Sequence, residues 1–312
     1  MQNEHVITNT ATSSRAGRSR RLSNLAIAAL LSFLLPAVSF GQGNLTPPGA
    51  PAPTMKTLQQ VEPRTDVLTL PGSFNAQYVI SAPGSYYLTT NIIGISGAQK
   101  VGILITANNV TLDLNGFAMI GNGSLYSGIW LYGPVGTGAT NVVVYNGTST
   151  GWGNAGVWTD GSGSCRFERL LLSNNGQEGL RGCSDSQVMN CLVSSNGIKF
   201  ANAGIAVVSH CYVYNNSCIQ NAQGIVATGD HNRIDSNHLA NNGNSGVARG
   251  IVVSTNMYNL VVKNVASSTY PTSSYTLPSG NTWGPIVTLG GGVIAGASSS
   301  TGWENFDDFS LF

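Results

Sequence analysis

The chain has 312 residues, of which 42% are hydrophobic and only 9% are charged, with 39 glycines. That is apolar enough to fold and too poor in Glu and Lys to surface many helices. Net charge is +1 with no basic block after the N-terminus, so the electrostatic footprint of phosphate-backbone binding is missing and nucleic acid is not an expected partner.

Residues 1–40 read as an export signal. Arg15, Arg18, Arg20 and Arg21 precede the apolar run Leu25 to Val38, and the small residues Ala37 and Ser39 suit processing near Phe40. That run is too short to span a bilayer comfortably, and no second segment of spanning length follows. Ser19-Arg20-Arg21 hints at a twin-arginine signal, but the residues after it fit a general secretory route better. The expected location is secreted, periplasmic or cell-surface. Residues 41–83 read as a Pro-rich linker and N-terminal cap, with a short helix over Met55 to Val61 capped by Thr54.

From 84 to 264 the chain repeats itself with a period of 20 to 28 residues, the signature of a solenoid. One marker is a glycine followed by an aliphatic residue: Gly102-Ile103, Gly128-Ile129, Gly156-Val157, Gly179-Leu180, Gly204-Ile205, Gly224-Ile225 and Gly250-Ile251. The other is a strand-ending Asn, at Asn115, Asn146, Asn175, Asn196, Asn216, Asn242 and Asn264, a residue that tolerates the left-handed backbone of a tight corner. Segments bounded by Asn, Gly and Ser are too short for helices, so the expected fold is all-β: a single-stranded parallel β-helix of about seven or eight coils. Equal offsets predict the inward columns Phe167/Val188/Val208/Ile234 and Leu172/Val193/Val213/Leu239, with an Asn ladder beside them. Residues 265–312 are expected to cap the stack, because bare strand edges invite aggregation.

The stretch Gly102-Ile-Leu-Ile-Thr-Ala-Asn-Asn-Val-Thr-Leu-Asp-Leu-Asn-Gly116 resembles the opening coil of pectin-lyase-like right-handed β-helix proteins. The later Asn-rich coils resemble the general β-helix repeat. Asn281-Thr-Trp-Gly-Pro-Ile-Val287 and Trp303-Glu-Asn-Phe306 resemble tail segments of secreted bacterial β-helix proteins. The resemblance implies the fold. It implies no single activity, since that superfamily includes lyases, hydrolases, epimerases, adhesins and non-catalytic proteins.

A galacturonan hydrolase of this superfamily would need closely set aspartates with a histidine and a basic pair. The repeats contain Gly229-Asp230-His231 and an isolated Arg233-Ile234 but no paired aspartates, and Asp307-Asp308 lies in the tail. A uronate lyase would need carboxylates to hold Ca²⁺ and a base for the C5 proton. In the register above Glu168 and Asp235 share a column, and Arg169, Asn190 and His210 share the next, with Arg169 and His210 as catalytic candidates and Asn190, Glu168 and Asp235 as substrate contacts. The plain alternative is a solvated corner column. His210, His231 and His238 with Cys183, Cys191, Cys211 and Cys218 show no Cys-x-x-Cys or His-x-x-x-His spacing, so no metal site is expected, and no cofactor beyond Ca²⁺ in the lyase case. Cys191 and Cys211 should stack on adjacent coils, as a disulfide or within an inward ladder of thiols. Tyr126, Trp130, Tyr132, Trp152 and Trp158 cluster in the second and third coils, where Trp152 and Trp158 would stack on sugars or pack loops against the solenoid. Two functions follow: a secreted non-catalytic β-helix that binds polysaccharide or a cell-envelope component, and a divergent polysaccharide lyase.

Overall fold

A computed structural model describes residues 62–97, 99–122, 125–133, 138–198, 202–243, 249–254, 258–268, 274–290, 293–294 and 302–308. The expected export signal, most of the linker and the Met55 to Val61 helix lie outside these residues. Everything described belongs to one compact unit, Thr57–Phe312.

The unit is a parallel β-solenoid. Nine strands, one per coil, form one sheet in strict chain order from Ala76–Ile80 to Tyr275–Thr276. A second sheet of 19 strands folds into two wings. The first wing runs from Gly84–Tyr87 through Val110–Asp113, Gln187–Met189, Tyr212–Tyr214, Arg233–Asp235 and Leu260–Val262 to Thr282–Trp283. The second runs from Ile92–Ile93 through Ala118–Ile120, Leu192–Ser194, Ser217–Ile219 and His238–Asn242 to Val265–Ser268 and Asn305–Asp308. The long strands Val142–Thr150 and Arg166–Ser173 pass through both wings and join them.

Three corners per coil separate these walls, and left-handed residues close them. Asn109, Asn141, Ser164, Asp185, His210, His231 and Tyr258 stand at the first corner, between the nine-stranded sheet and the first wing; Asn115, Asn146, Arg169, Asn190, Asn215, Ser236 and Lys263 stand at the second. Asn174, Ser195, Gln220 and Asn241 close the third. A left-handed residue costs roughly 1 kcal/mol or more when it carries a side chain, least for Asn and Asp, so so many of them persist only because each coil is held by its neighbours.

The aliphatic partners of the glycine marker stack as expected: Ile103, Ile129, Val157, Leu180, Ile205, Ile225 and Ile251 form one buried column. Beside it runs the buried ladder Asn175–Asn196–Asn221–Asn242. Asn196, for example, donates its backbone N–H and its Nδ2 to Asn221 Oδ1 at 3.0 and 2.9 Å and receives the same two bonds from Asn175. The two markers are one device: a Cβ on Gly179 would lie 2.6 Å from Val193 Cγ1 and 3.0 Å from Asn196 Nδ2. Two further ladders follow the other corners, Asn216–Asn237–Asn264–Asn305 and Asn232–Asn259–Asn281.

That second family of ladders corrects the expected register. Phe167 stacks on Val188, Val213, Ile234 and Val261, and Leu172 on Val193, Cys218, Leu239 and Ala266. Val208 is exposed rather than inward. The pattern of apolar residue, spacer and Asn occurs twice per coil, five residues apart, once for each wing. Aligning Asn216 of the second corner with Asn196 of the third therefore slips one coil by a whole wing. It also separates Cys191 from Cys211: they lie in different columns, and all five cysteines are buried free thiols, with Cys183 and Cys211 Sγ atoms 3.8 Å apart.

The stack is longer than 84–264. Thr65–Asp66 already pairs with Gly84–Tyr87. Beyond 264, Tyr275–Thr276, Thr282–Trp283 and Asn305–Asp308 add further rungs, and Ile286–Gly290 lies against the last of them, so the tail builds coil as well as closing it.

Candidate functional site: the outer strip of the first wing

Because side chains alternate along a strand, the middle residue of each three-residue rung points inward and its neighbours point out. On the first wing this gives two outward columns, Arg166/Gln187/Tyr212/Arg233/Leu260 and Tyr145/Glu168/Met189/Tyr214/Asp235/Val262. From Arg166 to Thr282 the strip crosses six rungs, about 24 Å at the spacing of stacked strands. From Gln187 to Asp235 each rung is three residues long and closed by a single left-handed residue on either side.

The chemistry of the strip is planar and polar. Arg166 Nη2 lies 2.6 Å from Glu168 Oε2, and Arg233 Nη2 lies 2.6 Å from Asp235 Oδ2. Asp235 holds the Arg233 guanidinium pKa above its ordinary value. Tyr212 and Tyr214 stack at 5.3 Å, with the Arg233 guanidinium 5.6 Å over the Tyr212 ring. Arg169 sits 5.7 Å over Tyr145. Desolvation first, and then the neighbouring carboxylates Asp235 and Asp113, push the phenols of Tyr212 and Tyr145 up. Asp113 is itself saturated by Arg64, Asn146 and the Asn115 N–H.

The strip opens at both margins. Across the second corner, Asn190, Leu192, Asn215, Ser217 and His238 line a shallow depression, with Asn215 Nδ2 donating to Asn190 Oδ1 at 2.8 Å. At the C-terminal end, Leu260, Val262, Trp283, Pro285 and Trp303 form an apolar hollow. Both tryptophans are exposed there, and Lys263 Nζ stands 4.8 Å over the Trp303 ring.

Five of the residues proposed from sequence therefore meet on this wing and its margins, in a different arrangement. Glu168 and Asp235 do share a column. Arg169 and Asn190 belong to the second corner with Asn215, whereas His210 stands on the first corner, at the opposite edge, so the Arg169/Asn190/His210 column does not exist. Trp152 is buried at 1% exposure with Nε1 donating to Met119 O, so it is core and not a sugar contact. Trp158 lies on the outer face of the nine-stranded sheet, between Trp130 at 4.9 Å and Arg181 at 5.2 Å, and both of its faces are covered. Tyr212, Tyr214, Trp283 and Trp303 escaped the sequence reading: the tyrosines alternate around one inward valine, a visible signal once the register is right.

The architecture is that of a parallel β-solenoid whose first wing carries a mixed strip of charged, aromatic and apolar side chains. The family model described as right handed beta helix region matches residues 127–301, and the chain belongs to that family. No curated protein matches it. Among solved structures it is similar to XylC, solved in complex with xylose, at 11% identity and a TM-score of 0.43, over 68% of this chain and 38% of that one. It is also similar to the Dettilon tailspike protein, at 14% identity and a TM-score of 0.46, over 75% of this chain and 60% of that one. The chain thus spans less than two thirds of either structure. Among the described residues no helix is long and apolar enough to cross a membrane.

Proposed function

We propose that the protein is an exported, non-catalytic β-helix that binds polysaccharide lengthwise along the first wing. The observation that carries this reading is the continuous strip from Arg166 to Trp303. The exposed Tyr214, backed by Tyr212 and Arg233, offers a ring face to sugars, the arginine, glutamine and asparagine groups match vicinal hydroxyls, and two exposed tryptophans close the far end. Export rests on the order of basic flank, apolar run and small residues in the first forty positions.

The same geometry argues against the lyase and hydrolase readings. Glu168 and Asp235 stand three rungs apart, about 14 Å at the spacing of stacked strands, beyond the roughly 5–10 Å that a pair of glycosidase carboxylates spans. Each is neutralised by an arginine two residues before it on its own strand. Arg169 and His210 flank the wing on opposite corners and cannot share one substrate carbon. Binding along the strip requires no cofactor, and Ca²⁺ would be needed only for a lyase.

Affinity electrophoresis through gels containing neutral or uronate polysaccharides tests the proposal. The wild-type chain should be retarded by at least one of them, the Tyr212→Ala/Tyr214→Ala variant should run freely, and absorbance near 235 nm should stay flat with or without Ca²⁺. Unretarded wild type, a variant retarded as strongly as wild type, or a Ca²⁺-dependent rise at 235 nm would each overturn it.

A further inference from the structure

At the first corner, on the opposite margin from Asn190, four successive coils present Asp185, His210, His231 and Tyr258 at the same left-handed position. The His210 and His231 rings stack at 5.4 Å and 23°, and Tyr258 covers the outer side of His231 at 5.2 Å. A carboxylate accompanies each imidazole: Asp185 Oδ1 is 3.2 Å from His210 Nδ1, and Asp230 Oδ2 is 3.2 Å from His231 Nδ1. One ligand atom from each of His210, Asp230 and His231 can be chosen so that all lie within 4.8 Å of one another.

We propose that this corner is a binding site for a divalent transition-metal ion of the copper(II)/zinc(II) type, ligated by His210, His231 and Asp230, with Asp185 orienting His210. Ligands of such an ion stand about 2.0–2.2 Å from it and so about 3–3.5 Å from one another, which means donors spread over as much as 4.8 Å have to draw together by up to about 1.5 Å. The histidines are about half exposed and can do this by side-chain rotation. Asp185 on His210 Nδ1 fixes that tautomer and leaves Nε2 for the ion, the usual outer-sphere partner of a metal-binding histidine, whereas Asp230 gives up its contact with His231 Nδ1 when it ligates the ion. The donor set is nitrogen and oxygen, which suits copper(II), zinc(II) or nickel(II). The nearby thiols of Cys211 and Cys183 are buried on the inner side of the wall and are not part of it. The two histidines are separated by one coil rather than by one helical turn, so the short-range spacings that betray most metal sites are absent from the sequence.

Copper(II) titration of the full chain by calorimetry, with electron paramagnetic resonance of the complex, tests the site. The variants are His210→Asn/His231→Asn, because Asn already occupies this corner at Asn109 and Asn141 and keeps the left-handed backbone, and His238→Asn as a control on the second wing. Wild type and the control should bind one ion with nitrogen hyperfine structure from two imidazoles. The double variant should bind at least about tenfold more weakly, about 1.4 kcal/mol, and lose that structure. A wild type that binds no copper(II), a double variant that binds as wild type does, or an intact two-imidazole signal in the double variant would overturn the site.

Discussion

Asn237 is the middle of a ladder with no access to water: it is 1% exposed. Its Oδ1 accepts from Asn216 N at 2.9 Å and from Asn216 Nδ2 at 3.0 Å, while its Nδ2 donates to Val213 O and Asn264 Oδ1, both at 3.0 Å. Asn237→Ala orphans the Asn216 backbone N–H and one proton of its amide. A buried polar group left unmade costs about 1–3 kcal/mol, so the expected loss is about 2–6 kcal/mol, a large fraction of a typical domain's stability. Asn281 is the contrasting case. It caps its ladder with the same two bonds to Asn259, but it is part-exposed, and water can replace its carbonyl. Asn281→Ala should cost about 1 kcal/mol, the net worth of an ordinary hydrogen bond. Urea unfolding followed by circular dichroism and tryptophan fluorescence measures both, with the slopes compared to detect partial unfolding of coils. Equal losses for the two variants, or a loss under about 1 kcal/mol for Asn237→Ala, would refute the claim that buried amide ladders hold the coils in register.

Other consequences are open to simple measurements. Gly179→Ala places a Cβ 2.6 Å from Val193 Cγ1 and 2.7 Å from Gly204 O, and overpacking of this kind should lower stability by about 1–3 kcal/mol; a melting curve unchanged from wild type would contradict it. Trp152→Ala removes a core indole and should cost about 3–5 kcal/mol, whereas Trp158→Ala should cost less, and calorimetric melting of the pair checks the order. Burial pushes the Cys165 thiol up to about 11 and Cys191 up to about 12. The unfolded chain releases these protons near pH 9, so between pH 9 and 11 the folded state holds more of them, and stability should fall as pH rises through that window while remaining complete below it. Urea midpoints at pH 8 and 10.5 test the sign, and a thiol reagent at pH 8 should label the five cysteines only after unfolding.

The fold could be read from sequence because its constraints are local and repeated. A glycine that clears space for the ladder asparagine and an aliphatic residue that fills the core recur in coil after coil, at Gly156-Val157, Gly179-Leu180, Gly204-Ile205 and Gly224-Ile225. What misled the register was the internal repeat within a coil: Val213 and Cys218 stand five residues apart, as do Ile234 and Leu239, so Asn216 and Asn221 are interchangeable to the eye until hydrogen bonds assign each to its corner. The site suffered from the same slip, since moving one coil by five residues carried His210 across a whole wing to the side of Arg169 and Asn190. Trp152 looked like a ligand contact because it clusters in the sequence with Tyr126, Trp130, Tyr132 and Trp158. Gly102 and Gly128, on neighbouring coils, are what make room for the indole inside.

The most direct test of the binding wall compares two surfaces of the same chain against the polysaccharide that retards it. Calorimetric titration of Tyr212→Ala/Tyr214→Ala should show affinity reduced by at least about tenfold, about 1.4 kcal/mol, while Trp158→Ala on the nine-stranded sheet should match wild type. Undiminished affinity in the tyrosine variant, with loss in the Trp158 variant, would place the ligand on the opposite wall and contradict the account.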